Sequence, residues 1–345
     1  MMTTILFGIR NGLAVVQNHT GQWQLTTQLQ GQEISCLAVD PLQPEQVYAG
    51  TVGTGVWQSN DGGQSWQPGD VGLTRSHITA IAVSRTERHG NHGVVYAGTE
   101  PSAVYRSDDG GATWRELTPV DTLPSAPTWS YPPRPTTHHV RALVADPVVA
   151  GRLFACIENG ALIRSFDGGQ SWVDRTPDGP KDTHTLQAHP LAQGRLYSAA
   201  GDGFVVPGHG YAESHDGGAS WSYPDDGLAH QYGWSVAVDP ANPEIVLVSC
   251  AHGPQQAHNP MGAESAIYRR QGDGPWQQVT NGLPNEEGML AAFLATNEAE
   301  PGVFYAGSNV GLCRSADAGL HWERLPVPWP EHFRFEHLQG LVVKK

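Results

Sequence analysis

SDDGGATW, residues 107–114, returns as SNDGGQSW at 59–66, SFDGGQSW at 165–172, SHDGGASW at 214–221 and SADAGLHW at 315–322. RRQGDGPW at 269–276 is a worn copy, and a more eroded unit ends at Trp23. The closing tryptophans fall at 23, 66, 114, 172, 221, 276 and 322, with spacings of 43, 48, 58, 49, 55 and 46 residues. Such a period suits a four-stranded propeller blade with loops of variable length.

The grammar before each copy is constant. An apolar strand such as ITAIAV (78–83) is followed by a turn, a second strand such as VVYAGT (94–99), a Gly-rich turn and a third strand such as AVYRS (103–107). Asp-Gly-Gly then turns the chain into a fourth strand that begins at the tryptophan. Asp-Gly suits this hairpin because glycine takes positive φ without penalty and the Asp side chain can bond neighbouring amides. The unit is a four-stranded antiparallel meander.

The first unit, ILFGIRNGLAVVQ and the strand near Trp23, lacks an opening strand, whereas HLQGLVVK at 337–344 reads as an opening strand with no successor. Pairing the two buries both exposed edges and closes a ring. The expected fold is all-β, a seven-bladed propeller spanning residues 1–345 as one domain.

Ser-x-Asp-x-Gly-x-x-Trp resembles the Asp-box (BNR) repeat of sialidase-like β-propellers, a superfamily that includes xyloglucan hydrolases, sortilin-type receptors and the photosystem II assembly factor. The resemblance covers nearly the whole chain. It implies that Asp61, Asp109, Asp167, Asp216 and Asp317 are structural turn residues, on the face away from the binding site. A calcium reading of these aspartates lacks the spaced oxygen ligands and bidentate Glu of an EF-hand loop. A true sialidase is disfavoured, because there is no Phe/Tyr-Arg-Ile-Pro segment and few arginines, chiefly Arg10, Arg75, Arg134 and Arg141, fall at the expected mouth.

Composition narrows the partners. With 20 Lys plus Arg against 34 Asp plus Glu, the net charge of −14 repels a phosphate backbone or an anionic membrane. No run approaches the roughly 18 apolar residues of a membrane span. Neither nucleic acid nor membrane is expected, and nothing implies a nucleotide or organic cofactor. Cys36, Cys156, Cys250 and Cys313 sit singly in strand-like runs and read as reduced, buried thiols. With no secretory signal at the N-terminus, the expected location is the cytoplasm.

Function is expected on the face opposite the boxes, where long insertions cluster at 118–139, 200–214 and 250–265. Aligning the opening strands places His337, Glu33, His77, His139, Asp182, Tyr232 and Met289 in one column at the channel mouth. Two residues further along come Gln339, Ser35, Thr79, Arg141, His184, Trp234 and Ala291. One arc is polar and titratable and faces a more apolar wall, as suits a small polar or carbohydrate-like ligand.

From this column, Glu33, Asp182 and His184 are the candidate catalytic groups. Arg141, Tyr232, Trp234, His252 and His258 are candidate ligand contacts. His77, His139, His337 and Glu33 form a candidate divalent-metal set, because imidazoles with a carboxylate suit a borderline cation. A glycoside hydrolase needs only two flanking carboxylates, for which Glu100, Glu158, Asp202, Glu286 and Glu287 are further candidates. The rival expectation is a non-catalytic scaffold that binds a protein on the same face.

Overall fold

The computed structural model describes residues 3–345. Seven antiparallel sheets follow one another along the chain, and the first strands of successive sheets line a central channel. Blade 1 contains both ends: Gln339–Lys344 pairs with Thr4–Ile9, aligning Thr4 with Lys344 and Ile5 with Val343. The terminal edges are thereby consumed and the ring is closed.

The second strand of each blade lies between its neighbours and is buried on both faces. In blade 4, Leu153–Ile157 shows the reason. Leu153, Ala155 and Ile157 pack on Tyr96, Val104 and Leu117 of blade 3, while Phe154 and Cys156 pack on Leu186 and Leu196 of blade 5. Alternate side chains of one strand thus serve two interblade cores, which explains why the strand is apolar throughout. All four cysteines are free thiols; Cys156 and Cys250 are buried in second strands and Cys313 in the third strand of blade 7.

The fourth strands are shorter than the repeat suggests. Blades 2 and 3 keep two residues each, Gln67–Pro68 and Arg115–Glu116. Blades 4 and 5 are three-stranded sheets extended by single bridges, Arg164 to Val173 and Glu213 to Ser222. This strand is the outer edge with little to pack against, so the tryptophan just before it does the anchoring. Trp114 is buried and its Nε1 donates to the Gly111 and Gly69 carbonyls.

Each Ser-x-Asp-x-Gly turn is a closed hydrogen-bond unit. In the copy at 59–66, Ser59 Oγ donates to Asp61 Oδ1 and accepts from Gly63 N–H. Asp61 also accepts from the Gln64 and Ser65 amides and the Ser65 hydroxyl. Partial desolvation pushes the Asp61 carboxyl up, but these donors outweigh it and hold it at about 2. The residue after the aspartate sits at positive φ, 72–73° for Gly62, Gly110, Gly168 and Gly217. Its amide reaches the turn between the first and second strands of its own blade, as in Gly168 N–H to Gly151 and Gly217 N–H to Gly194. These units therefore lie at the end of the blade opposite the loops that join second to third strands.

Candidate functional site

One backbone feature determines what faces the channel. In five inner strands the pairing skips a residue: Ser35, Thr79, Arg141, His184 and Trp234 each stand opposite no partner. A bulge inserts one extra residue and re-aims its side chain. Three of the five use that freedom to tie the ring together. Ser35 Oγ donates to Ile78 O, Thr79 Oγ1 to Val140 O at 2.6 Å, and His184 Nδ1 bonds Gly233 O at 2.7 Å, each on the next blade. Arg141 and Trp234 do not follow this pattern: Arg141 Nε and Trp234 Nε1 are buried and make no hydrogen bond. Instead the guanidinium carbon lies 4.6 Å from the Trp234 ring centroid.

Around this pair the side chains divide into two arcs. On the polar arc, His139 Nε2 is 3.0 Å from Glu158 Oε2, and Arg141 Nε is 3.5 Å from the same oxygen. Glu158, Asp182 and His184 each offer a donor atom within 4.8 Å of the others. Asp182 Oδ1 accepts from the Asn159 amide, and Asp202 Oδ2 accepts from the Lys181 and Asp182 amides. On the facing wall, Tyr232 OH is 3.1 Å from His258 Nε2, and the His258 and His337 rings pack on Trp234 with centroids 4.4 and 5.0 Å away.

The two carboxyls are driven in opposite directions. Burial alone would raise Glu158, but the His139 hydrogen bond and the charges of Arg141 and His184 overcome it and hold Glu158 at about 2. Burial raises Asp182, and the nearby Glu158 charge adds to this against the opposing His184. Neighbouring carboxyls whose environments separate their proton affinities are the arrangement of an acid and its ionised partner. On the wall, burial drives His258 down to about 2 and His337 down to about 4, so both imidazoles are neutral at pH 7.

No protein-family model and no curated protein sequence matches the chain. Solved structures do. An ancestral GH74 enzyme is similar at 16% identity and a TM-score of 0.61, over 90% of this chain and 38% of that one. A GH74 enzyme from Niastella koreensis is similar at 18% identity and a TM-score of 0.61, over 84% and 46%. YCF48 bound to D1 peptide is similar at 16% identity and a TM-score of 0.56, over 84% and 80%. The fold is shared with GH74 and YCF48 propellers. This chain spans less than half the length of those two GH74 enzymes, and at such identities the likeness is one of fold.

The residues expected from the sequence distribute unevenly over this geometry. Asp182, His184, Arg141, Tyr232, Trp234, His258 and His337 meet at the mouth, whereas Met289 is buried with its amide bonded to Glu286 O. His252 lies apart, its ring 4.1 Å from that of His230. The set His77, His139, His337 and Glu33 is not among the groups brought to metal-binding distance. His77 and His139 turn toward Glu100, at 3.6 and 3.9 Å, and His337 is engaged by the aromatic wall. Glu33 is exposed and makes no side-chain hydrogen bond or ion pair among the described residues.

Among the described residues, the donor groups that could hold a cation at the mouth are Glu158, Asp182 and His184. The bond from His184 Nδ1 to Gly233 O leaves Nε2 facing the carboxyls, the usual orientation of a ligating imidazole. Glu100 and Glu158 were not in the inner-strand column. They share another position, the residue immediately after the second strand, which is His252 in blade 6. That second column is readable in YAGTE, FACIE and VSCAH.

Proposed function

We propose that the channel mouth binds a small polar ligand of the carbohydrate class and hydrolyses it with a pair of carboxyl groups. The observation that carries this reading is the opposed drive on Glu158 and Asp182, with one oxygen of each within 4.8 Å. Asp182, whose proton affinity is raised by burial, gives its proton to the leaving glycosidic oxygen. Glu158, ionised, attacks the anomeric carbon, and Asp182 then takes a proton from the water that releases the sugar. The close spacing fits the double-displacement, retaining geometry rather than the roughly 6.5–9.5 Å of an inverting pair. His139 and Arg141 orient Glu158 and keep it charged. Tyr131, half-buried beside His139, and the exposed Phe204 beside Tyr232 offer ring faces to a sugar. Four free thiols suit a reducing, cytoplasmic setting.

A second reading has its own observation. Phe204, Val205, Val206 and Met261 are exposed apolar residues on the mouth-side loops, the kind of surface that docks a peptide. Titrating a panel of neutral and acidic oligosaccharides while following tryptophan fluorescence separates the two. Saturable binding that is lost in Arg141→Ala supports the sugar site. No response from any saccharide leaves the scaffold reading in its place.

A further inference from the structure

Blade 6 carries a second group of donors, away from the Glu158–Asp182 pair. His230 precedes its first strand, Tyr232–Asp239; His252 follows its second, Asn242–Ala251; Glu264 precedes its third, Ser265–Gln271. The sheet register pairs Tyr232 with Ala251 and Ala251 with Ser265, so the three residues meet at one edge of one sheet. A donor atom from each lies within 4.8 Å of the other two. The His230 ring is buried at 5% exposure, its Nδ1 is 2.7 Å from the Tyr268 hydroxyl, and its Nε2 makes no hydrogen bond. A buried ring nitrogen left without a partner needs an explanation, and a cation supplies one.

We propose that His230, His252 and Glu264 form a site for a zinc-like divalent cation. With Nδ1–H donating to Tyr268, Nε2 keeps its lone pair, and a ring held by a fixed partner is how ligating histidines are oriented. Two imidazoles and a carboxylate are the donor set of a tetrahedral zinc site with one open position. His252 is exposed, with its ring 4.1 Å from that of the buried His230. Glu264 also lines a groove of about 450 Å³, together with Glu286, Glu287, Leu283, Pro284 and Met289.

The position gives the site a consequence. His252 and Glu264 bracket the loop that contains the short helix Pro254–His258, and that loop delivers His258 to Tyr232 and Trp234 at the mouth. A cation bound at both ends of the loop closes it like a clip and holds His258 in the wall. The site stands independently of any reaction at the mouth.

The test uses the full chain without a histidine tag, stripped by chelator and titrated with zinc alone in a calorimeter. One zinc is expected to bind, and His252→Ala and Glu264→Gln should each weaken it by roughly 10- to 100-fold. Asp182→Asn should leave that affinity unchanged. Zinc should also slow hydrogen exchange at residues 253–263 in the wild type and not in His252→Ala. Both substitutions are at solvent-accessible side chains, and circular dichroism checks that they fold. No zinc binding tighter than about 100 μM overturns the proposal. So does zinc binding that survives His252→Ala and Glu264→Gln, or that disappears in Asp182→Asn.

Discussion

The guanidinium of Arg141 lies over the Trp234 ring at 4.6 Å, although the two residues belong to blades 4 and 6 and a whole blade separates them in the chain. Both are the unpaired residue of a bulge, and both forgo the interblade bond that Ser35, Thr79 and His184 make. Arg141 thereby brings a permanent positive charge to Glu158, and Trp234 backs it with an apolar face. The buried polar atoms that make no hydrogen bond here, Arg141 Nε, Trp234 Nε1, His139 Nδ1 and His337 Nε2, belong to the same cluster.

Arg141→Lys tests this pairing. Lysine keeps the charge but loses the planar fork that stacks and binds together. Saccharide affinity is expected to fall about tenfold, roughly 1.4 kcal/mol, with the melting temperature little changed. Calorimetry with the tightest-binding sugar of the panel measures it, and an unchanged affinity would remove Arg141 from the site.

The two carboxyls give opposite pH signatures. Glu158 has a depressed folded-state value, so the stability it contributes is present above about 4.5 and is lost as pH falls through about 2. Asp182 is raised, so its burial costs more as pH rises through its folded-state value. Glu158→Gln should therefore destabilise the protein at pH 7, on the order of 3 kcal/mol. Asp182→Asn should leave stability equal or higher. Urea melts of both variants at pH 7 decide it, and the reverse order would contradict the assignment.

The turn units make a prediction about one residue. In the copy at 315–322 alanine stands where the other four full copies have glycine, and Ala318 is held at φ 62°. Ala318→Gly should stabilise the protein by about 0.5–1 kcal/mol by relieving a left-handed conformation that costs a β-carbon. Asp109→Ala should cost about 1–3 kcal/mol by leaving the Thr113 amide and hydroxyl without their acceptor. Neither change should alter ligand affinity, because the turns lie at the far end of the blades. A selective loss of binding in Asp109→Ala would place the ligand on the wrong face.

Closure predicts a third kind of behaviour. Removing residues 336–345 deletes the Gln339–Lys344 strand and bares both Thr4–Ile9 and the flank of the neighbouring blades. The truncated chain is expected to aggregate or lose its cooperative melt. Light scattering and calorimetry would refute this with an unchanged monomer and melting temperature.

Blade number, ring closure and the placement of the turns were legible from local signals: the Trp spacing, the repeated Asp-Gly-Gly, and a first unit short of one strand matched by an orphan strand at the C-terminus. The mouth was legible only in part. Asp182, His184, Arg141, Tyr232 and Trp234 follow from aligning the inner strands, but a bulge leaves no trace in a period-two pattern. The alignment placed Arg141 among the ligand contacts and His139 among the metal donors, but did not tell that both approach the same oxygen of Glu158. Glu158 escaped the column because it follows a second strand, and a residue's nearness across strands depends on register, which the repeat alone does not give. The fourth strands were legible as to place but not length, which in blades 2 and 3 is two residues each.

The most direct measurement of the central claim is the release of reducing ends from an oligosaccharide panel by the wild type, Glu158→Gln and Asp182→Asn, with product stereochemistry followed by proton NMR. Hydrolysis with retention in the wild type is expected, with rates at least about a hundredfold lower in each variant at preserved fold. A wild type that binds but cleaves no saccharide, or variants that cleave as fast as the wild type, would contradict a carboxyl-pair hydrolase at this mouth.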